Sequence, residues 1–355
     1  MTLQVDIKAQ LGAFLLDVQF AAPAGVTVLF GPSGCGKSSV INAIAGLIRP
    51  DQGQIICATR PLFDSAARVN LHPHRRRLGV IFQDARLFPH LIVQQNLTYG
   101  RWFAGRRRQG PSLQDVTDLL GIGHLLHRRP AALSGGEAAR VAIGRALLSA
   151  PDMILADEPL AALDEARRAE ILPYFIALRD AALVPIINVS HSVTEVAQLA
   201  TTVVAMGGGR VIAVGSAADI FGRSDVMGAN ASALLPARIV GHHADGLSEL
   251  VCAAGHVFVP HMNAAIGTSH MLRIHAGDIT LARSQPSGLS ALNILSGEIC
   301  RIEAQSDGAV MVSLRAGDAT IRARITQRSC TSMGLDMGQT CFAIVKSLSL
   351  AKGEP

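Results

Sequence analysis

The stretch Gly31-Pro32-Ser33-Gly34-Cys35-Gly36-Lys37-Ser38 constrains this chain more than any other. It fits the pattern G-x-x-x-x-G-K-[ST], in which glycines let the backbone wrap phosphate oxygens and the next helix turns its N-terminal N–H groups toward negative charge. The context agrees. Val26-Thr27-Val28-Leu29-Phe30 reads as a buried parallel strand, and residues 38–47 have helical spacing. In that setting Lys37 supplies a cation for the outer phosphates, and the Ser38 hydroxyl is placed to ligate Mg²⁺. A strand, this loop and a helix in succession imply an α/β fold whose ligand is a nucleoside triphosphate.

One such core does not account for 355 residues, because single cores stop growing near ~250–300 residues, so two domains are expected. An apolar fraction of 49% against 17% charged residues describes a folded globular chain rather than a disordered one. The net charge of +5 is mild. The triplets Arg75-Arg76-Arg77 and Arg106-Arg107-Arg108 lack interleaved aromatics, which points to solvated faces and away from a nucleic-acid groove. A face toward anionic lipid is the second reading. The six cysteines contain no C-x-x-C pair, which argues against a disulfide framework or a zinc site and for a reducing cytoplasm. No secretory leader and no apolar run approaching the ~18 residues of a membrane span are legible, so a membrane role is expected to pass through a partner.

Further along, residues 3–7 and 14–20 alternate like strands, and Phe14 reads equally as a base-stacking or a core aromatic. The apolar run Leu78-Gly79-Val80-Ile81-Phe82 delivers Gln83 at its end, where parallel strands meet a ligand crevice. Residues 113–126 read as one helix. Leu133-Ser134-Gly135-Gly136-Glu137 opens a longer helix over residues 138–150, with Ser134 as its N-cap. Met153-Ile154-Leu155-Ala156 is a buried strand ending in Asp157-Glu158, a carboxylate pair suited to a magnesium-phosphate site, one to hold metal and one to accept a proton from water. Leu163-Asp164 follows, and residues 184–189 form another strand tipped by Ser190-His191.

In this order the motifs resemble those of ATP-binding-cassette (ABC) transporter ATPases over residues 1–222. Gly31 to Ser38 resembles the Walker A loop, Gln83 the Q-loop, and Leu133-Ser134-Gly135-Gly136-Glu137 the signature. Asp157 and Glu158 resemble the Walker B aspartate and the catalytic glutamate, Asp164 falls in the D-loop, and His191 matches the switch histidine. The resemblance implies ATP and Mg²⁺ as ligands. Nucleotide would be held by Phe14, by Gly31, Pro32, Ser33, Gly34, Cys35, Gly36, Lys37, Ser38 and Ser39, and by Ser134, Gly135, Gly136, Glu137 and Asp164. It also implies metal at Ser38, Gln83 and Asp157, and catalysis by Glu158, His191 and Gln83. Because the signature serves the nucleotide of a second subunit in this family, a homodimer is expected, acting on a membrane permease. Ala138-Ala139 after the signature and Ala156 before Asp157 depart from family usage without removing a catalytic group.

From about residue 221 the pattern turns to short alternating segments with Gly, Asp and Ser turns, as in residues 308–325, which suggests an appended small β-barrel. Residues 289–352 resemble the Mop domain, an oligonucleotide-binding-type barrel linked to molybdate. Residues 223–288 read as linker and β segments. Together with Ala85-Arg86-Leu87-Phe88-Pro89-His90, this resembles the molybdate-import ATPases. The implied assembly is a peripheral protein on the cytoplasmic face of the inner membrane, with a periplasmic molybdate-binding protein as an indirect partner and no nucleic acid. Ser290, Asn293, Lys346 and Ser347 are the candidate oxyanion donors, while Leu292 stands where free Mop proteins carry arginine. The alternatives are an importer of tungstate, sulfate or another anion, and an oxyanion sensor with vestigial ATPase. A barrel that only dimerises the ATPase is also open.

Overall fold

The computed structural model describes residues 2–104, 110–160, 165–180, 184–227, 231–305 and 308–347. They divide into two units, Met1–Ser216 and Ala217–Pro355.

Strict alternation builds the first hairpin. β1 (Leu3–Leu11) and β2 (Phe14–Ala22) pair antiparallel, with Leu3, Val5, Ile7 and Ala9 buried and Gln4, Asp6, Lys8 and Gln10 exposed. β3 (Val26–Phe30) buries all of its residues, as a central parallel strand does, and α1 (Lys37–Ala45) follows the loop. β4 (Gln52–Cys57), β5 (Arg60–Asp64) and β6 (Val69–Asn70) extend the antiparallel side, and β7 (Leu78–Ile81) returns to the core. The helices α2 (Val93–Ala104), α3 (Leu113–Leu120) and α4 (Gly135–Leu148) lead to β8 (Met153–Asp157). Then come α5 (Glu165–Asp180), β9 (Ile186–Ser190), α6 (Val193–Leu199), β10 (Thr202–Gly207) and β11 (Arg210–Gly215). The helix expected over 113–126 stops at Leu120, and a tight 3₁₀ turn, Gly123–Leu125, follows it.

Among the described residues, eleven strands make one sheet in the order β6-β5-β4-β1-β2-β11-β10-β3-β9-β8-β7. β10, β3, β9, β8 and β7 are mutually parallel. The carboxyl ends of β3, β7, β8 and β9 therefore open on one edge, the edge where open α/β sheets bind ligands. Among the described residues, no helix is long and apolar enough to cross a membrane.

The arginine triplet at 75–77 is not a uniformly solvated face. Arg76 is 1% exposed, and its Nη1 donates to the carbonyls of Ala43 (2.7 Å) and Ile44 (2.8 Å) in the last turn of α1. Nε donates to Leu71 O (2.8 Å) and Nη2 to Asn70 Oδ1 (2.9 Å). These partners are neutral, so the negative end of α1 is what balances the cation. Burial pushes the guanidinium down to about 10, which leaves it charged at neutral pH. Gly46 caps the same helix at φ 82°, and a Cβ there would lie 2.5 Å from Arg76 Nε. Gly46→Ala is accordingly expected to destabilise the protein by about 1–3 kcal/mol, from left-handed strain plus displacement of the guanidinium, read as a lower unfolding midpoint in urea. An unchanged midpoint would show that the clamp is dispensable.

In the second unit, α7 (Ala217–Phe221) and α8 (Ser224–Met227) precede β12 (Ser232–His242), β13 (Leu247–Cys252), β14 (Gly255–Pro260), β15 (Ser269–His275) and β16 (Thr280–Ala282). β17 (Asn293–Ala304), β18 (Ala309–Ala316), β19 (Ala319–Thr326), α9 (Gln327–Met333) and β20 (Thr340–Val345) complete it. Among the described residues, the strands form a four-stranded sheet, β14-β13-β12-β15, and a five-stranded one, β16-β20-β17-β18-β19, both antiparallel. The stretch read from sequence as linker and β segments supplies Ala233, Leu235, Ile239, Leu250 and Val257 to the apolar cluster that also holds Leu295, Ile299, Val312, Leu314 and Ala343. β16 pairs directly with β20. One-sided strands need a covering layer, and here each sheet covers the other in a barrel-like unit.

Candidate functional site

The ends of β3, β8 and β9 bring Lys37, Ser38, Asp157, Glu158 and His191 together. Gly36, at φ 103°, turns the loop into α1, and no side chain caps that helix, which leaves its first-turn amides available to an anion. A Cβ on Gly36 would lie 2.9 Å from Leu16 Cδ1 and 3.2 Å from the Phe14 ring, so hydrogen is all that fits between loop and hairpin. Lys37 is 5% exposed, and its Nζ donates to the carbonyls of Gly31 (2.7 Å) and Pro32 (3.0 Å). Its charge is thus held inside the turn of the loop. Phe14, Leu11, Ser33, Gly34, Gly36, Lys37, Ser38, Ser39 and Glu158 line a cavity of about 440 Å³. Phe14, at the start of β2, is the aromatic on its wall.

At the end of β8, Asp157 Oδ1 accepts a hydrogen bond from Ser38 Oγ at 2.9 Å. Burial raises the Asp157 carboxyl above the usual carboxylate range and the charge of Glu158 adds to the rise, while the Ser38 bond opposes it. A carboxylate raised in this way gains from a nearby cation, and an all-oxygen pair of hydroxyl and carboxylate suits Mg²⁺. Glu158 takes a left-handed backbone at φ 47°, uncommon outside glycine, which turns its side chain out of strand direction and into the cavity. Its Oε1 lies 3.6 Å from His191 Nδ1, at the end of β9. Glu158, Leu160, Ser190, His191 and Glu195 border a second, smaller recess.

The signature residues stand apart from that cavity. Ser134 caps α4, with Ser134 Oγ accepting from Glu137 N (3.2 Å) and Glu137 Oε2 accepting from Ser134 N (2.7 Å). This reciprocal box occupies Glu137, whose carboxyl is held below its usual range chiefly by the Ser134 backbone N–H, and Arg128 lies 3.9 Å away. Ser134 and Gly135 remain exposed, and Gly136 is buried. Gln83 is exposed and lines a separate pocket with Gly135, Ala138, Ala139 and Pro159. The two alanines that depart from family usage are therefore walls of the Gln83 pocket. Asp164 lies outside the described residues.

Two side chains hold the segment after Gln83 and were not singled out from sequence. Arg145 on α4 donates to Arg86 O (2.8 Å) and Ala85 O (3.0 Å). Asn96, fully buried on α2, accepts from Phe88 N (2.8 Å) and donates to the carbonyls of Phe88, Leu91 and Ile92. The buried Glu195 on α6 is the third omission.

In the second unit, Asn293 is fully buried and its amide is spent on Phe258, accepting from Phe258 N (2.7 Å) and donating to Phe258 O (3.0 Å). It joins the two sheets, and Ser347 Oγ is 3.4 Å from its Nδ2. Ser290, Lys346 and Leu292 are exposed, the last at 54%, and no hydrogen bond among the described residues joins Ser290 or Lys346 to Asn293. Of the four candidate oxyanion donors, only Asn293 and Ser347 meet.

A family model described as ABC transporter matches residues 15–161, and a TOBE-domain model, the Mop kind of barrel, matches residues 289–351. The chain is 48% identical to the molybdenum import ATP-binding protein ModC of Mesorhizobium japonicum, over 98% of this chain and 96% of that protein. It is 49% identical to the protein of the same name in Rhizobium johnstonii, over 99% of both. Among solved structures, cbiO1 from Clostridium perfringens, described as part of the ABC transporter complex cbiONQ, superposes with a TM-score of 0.54 at 25% identity, covering 64% of this chain and 92% of that one. The chain belongs to the family of ABC-transporter ATP-binding proteins that includes the ModC molybdenum import proteins.

Proposed function

We propose that this chain is the ATP-hydrolysing, energy-coupling subunit of a molybdate importer, working as a pair of chains on a membrane permease at the cytoplasmic face of the membrane. What supports the reading most is likeness over nearly the whole chain to proteins named for molybdenum import. A periplasmic molybdate-binding protein would deliver the anion to the permease.

In this reading the amides of the phosphate loop and of the first turn of α1 take the β- and γ-phosphate oxygens, and Lys37 turns its ammonium from the loop carbonyls toward them. Phe14 lies against the base. Mg²⁺ would be held by Ser38 and Asp157 and would neutralise charge on the phosphates, with Gln83, from its separate pocket, as the third candidate ligand. Glu158 orients the attacking water and takes its proton, with His191 beside it as its partner. Ser134 and Gly135 are exposed and line no part of the phosphate cavity, which supports the reading that they serve the nucleotide of the other chain. Closing two chains on two nucleotides then couples ATP turnover to the permease.

The barrel-like unit carries little of an oxyanion site in this chain. With Asn293 occupied and Leu292 in place of a cation, titration of the full chain with molybdate is expected to give weak or undetectable heat. Loss of one charge-assisted hydrogen bond, ~1.5–3 kcal/mol, weakens binding roughly ten- to a hundredfold. Tight binding selective over sulfate would instead favour the sensor reading.

Genetics tests the function as a whole. A strain lacking this chain should fail to accumulate molybdenum from trace external molybdate, and the wild-type chain should restore uptake while Lys37→Ala should not. Unimpaired accumulation in the deletion strain, or a defect confined to sulfate, would redirect the assignment.

A further inference from the structure

His191 sits at the tip of β9 with its side chain 59% exposed, so it has little packing of its own to hold it against Glu158. What fixes it must lie in the backbone on either side. Both neighbours are tied to one buried carboxylate. Glu195, 6% exposed in the first turn of α6, accepts from Ser190 Oγ at 2.9 Å through Oε2 and from Asn188 Nδ2 at 3.1 Å through Oε1. Its own N–H donates to Ser192 Oγ (3.3 Å), and Ser192 N donates to Ser190 Oγ (3.1 Å). The residues before and after His191 are thus locked to each other and to Glu195. Asn188, in turn, is in register with Val28 of the strand that feeds the phosphate loop and with Ala156 of the strand that ends in Asp157.

Burying a carboxylate costs several kcal/mol before its hydrogen bonds offset it, and an apolar side chain at this position would avoid that cost. A cap for α6 alone does not need the acid, because Ser192 already caps the helix from outside. The arrangement makes sense if the carboxylate sets where the 190–192 backbone, and with it the imidazole, stands.

We infer that Glu195 is a positioning residue for ATP hydrolysis, acting through Ser190 and Ser192 to hold His191 beside Glu158; this rests on the role proposed above for His191. A misplacement of about 1 Å at a reacting group can cost up to ~10²-fold in rate, so Glu195→Ala should lower kcat by about 10- to 100-fold, with KM for ATP changed less than about twofold. Glu195→Gln should recover most of the loss. It keeps an acceptor for Ser190 Oγ, and the Asn188 amide, whose Oδ1 is buried without a partner among the described residues, can turn to accept from it.

The deciding experiment is a double-mutant cycle on the full chain with His191→Ala, reading kcat, KM and melting temperature. If Glu195 acts through His191, adding Glu195→Ala to His191→Ala should lower kcat by less than about twofold. An equal fold-loss in both backgrounds would show a structural role only and overturn the inference. A wild-type kcat for His191→Ala would refute the proposed role of His191 and, with it, anything acting through that residue. Should Glu195→Ala fail to fold, Ser190→Ala, which removes the hydroxyl link alone, goes through the same cycle with the same two outcomes.

Discussion

Glu158→Gln is expected to lower steady-state ATP turnover by at least ~10²-fold while nucleotide binding is kept. The substitution preserves shape, so the left-handed turn at φ 47° and the approach to His191 at 3.6 Å are not disturbed by bulk. What is removed is the proposed base for the attacking water. Binding should hold or strengthen, because a carboxylate beside a polyanionic triphosphate repels it, and the amide does not. The pair of measurements is turnover by phosphate release and affinity by equilibrium binding of ATP. Turnover within a few-fold of wild type would take Glu158 out of the base role. Lost binding together with lost turnover would assign it to holding nucleotide instead.

The second large effect concerns two chains. If the signature serves the partner's nucleotide as proposed, Ser134→Arg should abolish ATP-driven dimerisation, because it puts bulk on the exposed end of α4 in place of a hydroxyl. ATP binding at Lys37 in the same chain should survive, because Ser134 lines no part of that cavity. Lys37→Ala removes the cation on the other side and should fail to dimerise for the opposite reason. Mixing the two variants rebuilds one composite site, from Lys37 of one chain and Ser134 of the other. Recovery of ATP-dependent association in the mixture, measured by light scattering, is the expected result. A mixture as inert as either variant alone would contradict a shared site.

The parts of this molecule that were legible in sequence are those whose physics is local. The phosphate loop needs glycine at fixed spacing, a lysine and a hydroxyl in eight consecutive residues, and Ser134 and Glu137 make a capping box three residues apart. Parallel buried strands read as apolar runs, so β3, β8 and β9 and the polar residues at their tips were found together. What escaped depends on distant partners. Arg76 looked like one of three solvated arginines, and its burial follows from carbonyls 32 and 33 residues away. Asn293 bonds Phe258, 35 positions earlier, and nothing in its own neighbourhood marks it as a joint between sheets. The strands between 232 and 282 have the alternation of ordinary surface β structure, and only the facing sheet shows that their buried side completes a core. Glu195 sits in a first helical turn, where an acid is expected for the helix dipole alone, which concealed its bonds to Asn188 and Ser190.

In the proposed function, ATP hydrolysis by this chain moves molybdate through a permease. The direct test is to co-purify the chain with its membrane partner, reconstitute both in vesicles with the ATPase face outward and the molybdate-binding protein enclosed, and measure molybdate release on addition of ATP. ATP-dependent molybdate movement is expected, lost with Glu158→Gln and not reproduced with sulfate. Transport that proceeds equally with Glu158→Gln, or that carries sulfate and leaves molybdate behind, would contradict it.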